Sequence, residues 1–316
     1  MSSYRLPSVR EQSLANSHET PLAQKLSTDP ITSRTAQSTA ISVHQTAIGG
    51  YWRNVTIIWS KNLTSHSLGV VIDSVETGNE QCSCKIDLKP WQFWSKKGYK
   101  MFEVDGNQIE VYWDLRSAKF SGSPEPMSNF YVALVCDDEM VLLLGDYEKK
   151  AYKRTRSRNP LVEPMSFYKK EHVFSKKSFS SRARFDGRKE DHEIVVEISS
   201  SGHNKDPEMW ISIDGIILMH LKNLQWKFRG NETLVVNNFP IQVFWDVYAW
   251  LFSNPGTGYG LFIFKPGSSE IDNGDHEESS RGEDSDCSSG DSNYFSTHSS
   301  SKVSQFCLFL YAWKVE

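Results

Sequence analysis

The sequence has little cysteine and no long apolar run. Only five of its 316 residues are cysteine, an odd number that fits a reducing compartment better than a disulfide-stabilised fold. No stretch approaches the roughly 18–20 apolar residues that cross a membrane. Residues 1–38 lack the apolar core of a secretory signal peptide, so we expect none. These absences predict a protein of the cytoplasm, the nucleus or both, without a transmembrane segment.

Linear catalytic motifs are also missing. The chain has no Gly-x-Ser-x-Gly elbow, no phosphate-binding Gly-x-x-x-x-Gly-Lys loop, no dinucleotide fingerprint and no His-Glu-x-x-His zinc motif. Because catalytic triads assemble from distant residues, these absences weaken the case for an enzyme without removing it. We therefore predict a non-enzymatic protein with no catalytic residue, no cofactor and no metal site. An enzyme of unknown class is the lesser alternative.

Two pairs of residues come closest to a chemical site. Cys82 and Cys84 occupy alternate strand positions, so their thiols point the same way, but zinc needs further ligands and none is near in sequence. We interpret both as core residues. Asp114 and Asp246 each follow a core tryptophan, and paired carboxylates can serve acid–base catalysis. Their position favours a plainer role, a strand-end carboxylate that completes a turn.

Two segments contain almost no large apolar residues. Residues 1–38 are rich in Ser, Thr, Gln and Pro, and we predict a disordered N-terminal tail. Residues 267–302 are rich in Ser, Asp, Glu and Gly, and we predict a disordered acidic loop there. Nine acidic residues and one basic residue lie between positions 270 and 291.

The acidic segment contains three candidate phosphosites. Ser269, Ser280 and Ser288 each precede an acidic residue by three positions, the spacing that acidophilic kinases favour. A phosphate adds about −1.5 to −2 charge at neutral pH. We expect phosphorylation to regulate the protein by strengthening an electrostatic fold-back of the acidic segment. An unmodified, solvated loop is the alternative.

The chain repeats itself at a separation of 132 residues. Residues 94–122 align without a gap onto residues 226–254. The identities include Trp94 with Trp226, Gly98 with Gly230, Ile109 with Ile241, Val111 with Val243, Trp113 with Trp245, Asp114 with Asp246, Phe120 with Phe252 and Ser121 with Ser253. Such a period matches a whole domain and is too long for a propeller blade or a solenoid repeat. We interpret it as the duplication of a β domain.

Alternation of apolar and polar residues, the sign of half-buried strands, runs through both halves. In residues 108–114 it places Ile109, Val111 and Trp113 inward. Short turns such as 105–107 join consecutive strands, which favours antiparallel hairpins. Good amphipathic helical stretches are absent. The predicted fold is all-β, with two tandem, duplicated antiparallel β-sandwich or flattened-barrel domains.

The predicted domain boundaries follow the changes in composition. We place the first β domain at residues 39–148, a basic linker at 149–165 and the second β domain at 166–316. Within the second domain, Gly260–Phe264 should pair with Phe306–Trp313 across the acidic loop. A long loop is tolerated there because the entropy of loop closure grows only logarithmically with length.

Several motifs together resemble a family of plant proteins, the domain of unknown function 868. They are Val-Thr-Ile-Ile-Trp-Ser-Lys-Asn-Leu (55–63), Val-Tyr-Trp-Asp-Leu (111–115), Glu-His-Val-Phe (171–174), Arg-Ala-Arg-Phe (182–185), Trp-Lys-Phe-Arg-Gly-Asn (226–231), Val-Phe-Trp-Asp-Val (243–247) and the terminal Tyr-Ala-Trp-Lys. The resemblance covers about residues 40–266 and 304–316. It implies a plant protein with one family fold, and it implies no activity, cofactor or catalytic residue.

Basic residues provide the candidate contacts with a partner. Between positions 149 and 189 there are 14 Lys or Arg and three acidic residues, a balance that concerns partners rather than fold. The candidate contacts are Lys149, Lys150, Lys153, Arg154, Arg156, Arg158, Arg182 and Arg184. We expect a protein partner first and an anionic surface second. Sequence-specific nucleic-acid binding is not predicted, because no aromatic RNA-recognition signature accompanies the charges.

Ten tryptophans keep a second function open. Six of them lie in strand patterns and are mostly predicted to be core residues: Trp59, Trp113, Trp210, Trp226, Trp245 and Trp313. Tyr51–Trp52 and Trp91–Trp94 break the alternation and are candidates for exposure. The leading prediction is a non-enzymatic binding or scaffold protein that recognises a macromolecular partner. The alternative is a module for a small lipid or carbohydrate ligand.

Overall fold

The computed structural model describes residues 38–62, 65–74, 81–88, 93–120, 122–185, 191–199, 206–267 and 306–315. The strands in these ranges are Ser38–Ile48 (β1), Tyr51–Lys61 (β2), His66–Asp73 (β3), Gln81–Leu88 (β4), Lys97–Val104 (β5), Asn107–Asp114 (β6), Lys119–Phe120 (β7), Pro126–Ser128 (β8), Tyr131–Cys136 (β9), Glu139–Leu144 (β10), Met165–Ser175 (β11), Ser178–Ala183 (β12), His192–Ser199 (β13), Glu208–Ile213 (β14), Ile216–Leu221 (β15), Arg229–Val236 (β16), Phe239–Asp246 (β17), Tyr259–Pro266 (β18) and Cys307–Lys314 (β19). The helices are Glu148–Thr155 (α1), Tyr248–Phe252 (α2) and a 3₁₀ turn, Phe93–Lys96. Apart from Ser38 and Gly267, the predicted tail 1–38 and loop 267–302 lie outside the described residues.

One nine-stranded sheet runs through both halves of the sequence. Its order is β16-β17-β18-β19-β11-β1-β2-β3-β4, and the only parallel neighbours in it are β11 and β19. The strands form because apolar residues alternate with polar ones. In β2, for example, Val55, Ile57 and Trp59 are at most 1% exposed, while the residues between them are partly open to solvent.

Two four-stranded sheets cover this large sheet and create two hydrophobic cores. The sheet β10-β9-β6-β5 encloses the first core with β1–β4. The sheet β12-β13-β14-β15 encloses the second core with β11 and β16–β19. Leu134 of β9 and Phe262 of β18 are fully buried examples, one from each core.

Strand register places both cores on the same face of the nine-stranded sheet. Directly opposed residues share a face, and Trp59 opposes Ala40, which in turn opposes Glu171. Glu171 opposes Leu310, and Leu310 opposes Phe262. A single buried row therefore crosses from the first core to the second, with a carboxylate at the seam between them.

The all-β prediction is confirmed in its general form. The described sheets stay open and stack in layers, so the flattened-barrel alternative is wrong. Thr35–Glu316 forms one compact unit, and its two cores share a sheet through the pairing of β1 with β11. The predicted pairing across the acidic segment is confirmed, because β18 and β19 are antiparallel neighbours.

The predicted absence of amphipathic helices is wrong. Within the basic linker predicted at 149–165, α1 runs through Thr155 and packs Ala151 against Tyr131, Ala133 and Met140 of the first half. The sequence pattern does not indicate this helix, because its buried stripe is narrow and its other faces are basic. The start of the predicted linker is therefore a packed helix of the first core.

The tryptophans matched by the sequence repeat have similar surroundings. Trp113 is 6% exposed, and its Nε1 donates to the Ser95 carbonyl at 2.9 Å. Trp245 is 7% exposed, and its Nε1 donates to the Lys227 carbonyl at 3.0 Å. The two acceptors are themselves 132 residues apart. Trp226 departs from its core prediction, because it lies in a turn and is 81% exposed.

Asp114 and Asp246, which the repeat matches, both accept a backbone hydrogen bond in a turn, as predicted. Asp114 Oδ1 accepts from the backbone N–H of Arg116 at 3.3 Å. Asp246 Oδ1 accepts from the backbone N–H of Tyr248 at 3.1 Å, where α2 begins. Each carboxylate thus satisfies a backbone donor two residues further on, an Asx-turn arrangement.

Candidate functional site

A cavity of about 300 Å³ opens at one end of the first core. It lies where β2, β4 and β6 end and where β3 begins. Its lining residues are Lys61, Asn62, Ser65, His66, Leu88, Lys96, Leu115, Arg116, Ala118 and Phe120. The volume is at the lower end of the range usual for small-ligand sites in proteins.

Three segments bring cations to the cavity wall. Lys61 ends β2, Lys96 ends the 3₁₀ turn, and Arg116 follows β6. None of the described lining residues is a carboxylate. Asp114, just behind the wall, accepts from Arg116 Nε at 3.0 Å and from Nη2 at 2.8 Å. That pair orients the guanidinium and neutralises part of its charge.

The charges in the wall shift the pKa values of His66 and Asp114. Burial lowers the pKa of His66 below its ordinary 6.5, and the charges of Lys61 and Lys96 lower it further. Burial opposes ionisation of Asp114, but the hydrogen bonds from Arg116 and the charges of Arg116 and Lys97 outweigh it, so the pKa of Asp114 is lowered. Lys61 and Lys96 therefore both disfavour the protonated form of His66.

Other residues of the wall are apolar. Leu88 and Leu115 are 6% and 3% exposed and belong to the first core. Ala118 packs against them, and the rings of Phe120 and His66 lie 4.7 Å apart. The cavity is therefore lined by both cationic and hydrocarbon groups.

Aromatic rings pack at the matched positions of the second half. At a separation of 132 residues, Lys96 corresponds to Phe228, Arg116 to Tyr248, Ala118 to Trp250 and Phe120 to Phe252. Phe228 contacts Tyr248 at a ring separation of 5.2 Å, and Tyr248 contacts Phe252 at 5.0 Å. Trp250 is 2% exposed.

One backbone hydrogen bond is shared by the two halves at this place, and the chain then differs, because residues 116–120 form a turn and β7 whereas Tyr248–Phe252 form α2. The N–H of Leu115 donates to the Lys96 carbonyl at 2.6 Å, and the N–H of Val247 donates to the Phe228 carbonyl at 2.8 Å. The fold thus accepts either cations or aromatic rings at this place. The two halves therefore differ there in local backbone as well as in side chains.

The predicted basic contacts form an exposed surface on and after α1. Lys149, Lys150, Lys153 and Arg154 are exposed on the helix, and Lys150 Nζ lies 3.3 Å from the centre of the Tyr147 ring. Arg156 caps the helix in the left-handed conformation and is also exposed. Arg158 is exposed as well, and it donates through Nη2 to the Asp137 carbonyl at 3.2 Å.

Arg182 and Arg184 lie apart from that helix. Arg182 Nη1 and Nη2 donate to the carbonyls of Met127 and Pro126, each at 3.0 Å. Arg184 pairs with Asp191 through Nη2 at 3.0 Å. Both arginines therefore already contact protein groups, and Arg182 ties the β8 segment to the second core.

A buried charge cluster at the seam was missed from the sequence. Lys169 Nζ lies 2.7 Å from Glu171 Oε1 and also pairs with Glu125. Ser181 Oγ donates to Glu171 Oε1 at 2.7 Å, while Glu171 Oε2 is buried without a hydrogen-bond partner. Burial opposes the charge on Lys169, but Glu125 and Glu171 outweigh it and raise its pKa. The space beside the cluster is about 10 Å³, room for about one water.

The other sequence candidates add no reactive group. Burial raises the pKa of the Cys84 thiol, which fits the core interpretation. Within the described residues, no group of three or more His, Cys, Asp or Glu is arranged to hold a metal. Ser269, Ser280 and Ser288 lie outside the described residues, so their phosphorylation stays a prediction. Tyr51 and Trp52 are exposed at the tip of the β1–β2 hairpin, as the broken alternation indicated.

Comparison with known proteins gives one match. The family model of a plant protein of unknown function, DUF868, matches residues 35–314 and confirms the resemblance that the motifs carry. No curated protein and no solved structure matches the chain. Among the described helices, none combines the length and apolarity needed to span a membrane.

Proposed function

The chain belongs to the plant protein family of unknown function DUF868, and we propose that it is a non-enzymatic protein that binds a small organic ligand in the cavity of the first core. The observation that carries this proposal is the cavity itself. It combines about 300 Å³ of space with a few converging polar groups and an apolar wall. That combination is typical of ligand sites.

The polar groups in the wall favour binding over catalysis. The backbone N–H of Ser65 donates to Asn62 Oδ1 at 2.6 Å, and the Ser65 hydroxyl donates to the same oxygen at 3.0 Å. Ser65 is therefore committed to a turn, and an amide oxygen does not serve as its general base. Lys61, Lys96 and Arg116 are suited to holding a ligand by charge.

We attribute the cavity to divergence after duplication of one β unit. The matched tryptophans, carboxylates and backbone hydrogen bonds support a common origin for the two halves. After duplication, one copy would have filled this place with Trp250 and its aromatic neighbours, while the other kept Ala118 and an open space. The open space beside Ala118 in the first half supports a binding role.

Substitution of Ala118 provides a direct test. Ala118→Trp introduces the residue type found at the matched position 250 and should fill the cavity. With the neutral fluorescent probe N-phenyl-1-naphthylamine, we expect binding to the full chain and at least tenfold weaker binding to Ala118→Trp. Ile216→Trp, at an exposed position of β15, is the control and should bind the probe like the unchanged protein. Equal probe binding by Ala118→Trp and the unchanged protein would refute the cavity as the site.

Native mass spectrometry of protein purified from plant tissue gives a second measurement. We expect a co-purifying small molecule on the unchanged protein and its loss from Ala118→Trp. A bound molecule retained by that variant would place the ligand elsewhere.

The exposed basic surface on α1 favours a second candidate function, contact with a macromolecular partner. Lys149, Lys153 and Arg154 project into solvent from a helix that is anchored to the sheet. Such charges attract an acidic surface in a salt-dependent way. Proximity labelling in plant cells, with Lys149→Glu and Lys153→Glu introduced together, should lose partners that the unchanged chain labels. An identical set of labelled proteins would remove this candidate.

A further inference from the structure

The charge of the cavity wall narrows the class of ligand. Lys61, Lys96 and Arg116 come from three separate segments, yet all line one space whose described wall has no carboxylate. The lowered pKa of His66, caused by burial and then by Lys61 and Lys96, is a further indication of positive potential. A carboxylate or phosphate group in this space could form charge-assisted hydrogen bonds with these cations, whereas a neutral group could not.

The fold itself does not require these cations. At the matched positions of the second half, Phe228 and Tyr248 replace Lys96 and Arg116 while the backbone hydrogen bond at that site is kept. Phe228 and Tyr248 pack ring against ring there, whereas clustered like charges repel one another. The cations therefore serve a purpose other than folding.

The apolar residues of the wall set a second requirement for the ligand. Leu88 and Leu115 are nearly fully buried, and Ala118 and Phe120 extend the same apolar side. A small inorganic ion would contact the cations and leave the hydrocarbon groups of the wall facing water. A ligand with an acidic group alone would therefore use only part of the lining. A ligand that has both an acidic group and a hydrocarbon part would cover both sides.

We propose that the cavity selects an amphipathic organic anion, with its carboxylate or phosphate group between Lys61, Lys96 and Arg116 and its hydrocarbon part against Leu88, Leu115 and Phe120. This inference rests on the proposed function, since it specifies the ligand of the same cavity. Arg116, already oriented by Asp114, presents its guanidinium with little further loss of conformational freedom on binding.

Matched probes separate the two parts of the ligand. Isothermal titration calorimetry of the full chain is carried out with octanoate, octyl phosphate, 1-octanol and inorganic phosphate. We expect octanoate or octyl phosphate to bind at least tenfold more tightly than 1-octanol, and inorganic phosphate to bind more weakly than octyl phosphate. Preference between octanoate and octyl phosphate distinguishes a carboxylate ligand from a phosphate-bearing one.

Paired substitutions test the residues. Lys61→Gln with Lys96→Gln should weaken octanoate binding about tenfold and leave 1-octanol unchanged, because charge contributes only to the anion. Lys149→Gln removes the same kind of charge from α1 and should change neither. Thermal unfolding of each variant shows that the fold is kept, and Ala118→Trp blocks the site by size without altering its charge.

The possible failures are distinguishable. If 1-octanol binds as tightly as octanoate and Ala118→Trp abolishes both, the cavity is a ligand site and the anion inference is wrong. If inorganic phosphate binds as tightly as octyl phosphate, the hydrocarbon part of the inference is wrong. If neither these probes nor N-phenyl-1-naphthylamine binds in an Ala118-dependent way, the proposed function itself fails.

Discussion

At the scale of single residues, two glycines show how closely the halves agree. A Cβ added at Gly98 would lie 2.8 Å from Trp113 Cζ2, and one added at Gly230 would lie 2.5 Å from Trp245 Cζ2. Both tryptophans are buried and held by an Nε1 hydrogen bond, so they cannot move aside freely. Each glycine is thus needed because an indole ring crosses directly over its backbone.

Alanine at either glycine should therefore destabilise the protein. We expect Gly98→Ala and Gly230→Ala each to lower the free energy of unfolding by about 1–3 kcal/mol through overpacking. Gly122→Ala is the control, because nothing lies within 4 Å of its added Cβ. Urea denaturation measures all three. A loss at Gly98→Ala no larger than at Gly122→Ala would contradict the packing described for Trp113.

A partly buried histidine makes stability depend on pH. Burial lowers the pKa of His44 to about 4, with Glu125 opposing the shift and Arg184 adding to it. Its ring nitrogens contact Ser42 and Ser166. Because the unfolded chain binds the proton near the ordinary value of 6.5, stability is lost as pH falls from about 6.5 towards 4.

Removing the imidazole should remove that part of the pH dependence. At pH 7 the histidine is neutral in both states, and below pH 4 the penalty reaches at most about 3 kcal/mol. We expect His44→Gln to lose less stability than the unchanged protein between pH 7 and pH 4.5, measured by urea denaturation at each pH. Parallel losses in the two proteins would show that His44 does not titrate as described.

At the scale of secondary-structure elements, β19 connects both sides of the second half. It pairs with β18 in antiparallel fashion and with β11 in parallel. Leu308, Leu310 and Ala312 are fully buried on one face of the strand. The last described strand of the chain is thus an interior strand of the nine-stranded sheet.

Truncation before β19 should prevent the second core from forming. A chain that ends at residue 305 loses three buried side chains and leaves β11 and β18 with unpaired edges, which favours aggregation. We expect loss of cooperative thermal unfolding monitored by near-ultraviolet circular dichroism. An internal deletion of residues 270–300, which keeps β19, should leave the midpoint within a few degrees. A truncated chain that unfolds like the intact one would overturn the assignment.

Elements with a regular pattern could be predicted from the sequence, and those defined by partners could not. Alternation located β6, turn residues located the hairpin turn before it, and the predicted pairing across the acidic loop is that of β18 with β19. Helix α1 could not be predicted from the sequence, because only a narrow stripe around Ala151 is buried. The cavity of the first core could not be predicted either. Its residues come from five segments, and their convergence depends on the stacking of two sheets. For the seam, the signal was present: Lys169 and Glu171 are charged residues at inward positions of β11.

At the scale of the whole molecule, the two cores belong to one cooperative structure. Strands β1 and β11 pair along most of their length and join the first core to the second. The buried pair of Lys169 with Glu125 adds a link from the β7–β8 segment to the same seam. Independent swinging of two β domains is incompatible with a shared sheet.

A core substitution in either half should shift one common unfolding transition. We expect Leu134→Ala in the first core and Leu310→Ala in the second each to cost about 2–5 kcal/mol. Both residues are fully buried. In thermal denaturation followed by calorimetry, each variant should lower the midpoint of a single transition. Two transitions, with each variant moving only one of them, would contradict the coupling.

The central claim is that the first core carries a binding site for an organic anion at its open end. The most direct measurement is a titration of the full chain with octanoate followed by ¹H–¹⁵N nuclear magnetic resonance. We expect saturable shifts at the backbone amides of Lys61, His66, Lys96, Leu115 and Arg116, with the matched positions Phe228, Val247 and Tyr248 unchanged. Shifts that are absent, scattered over the surface, or equal in the two halves would contradict it.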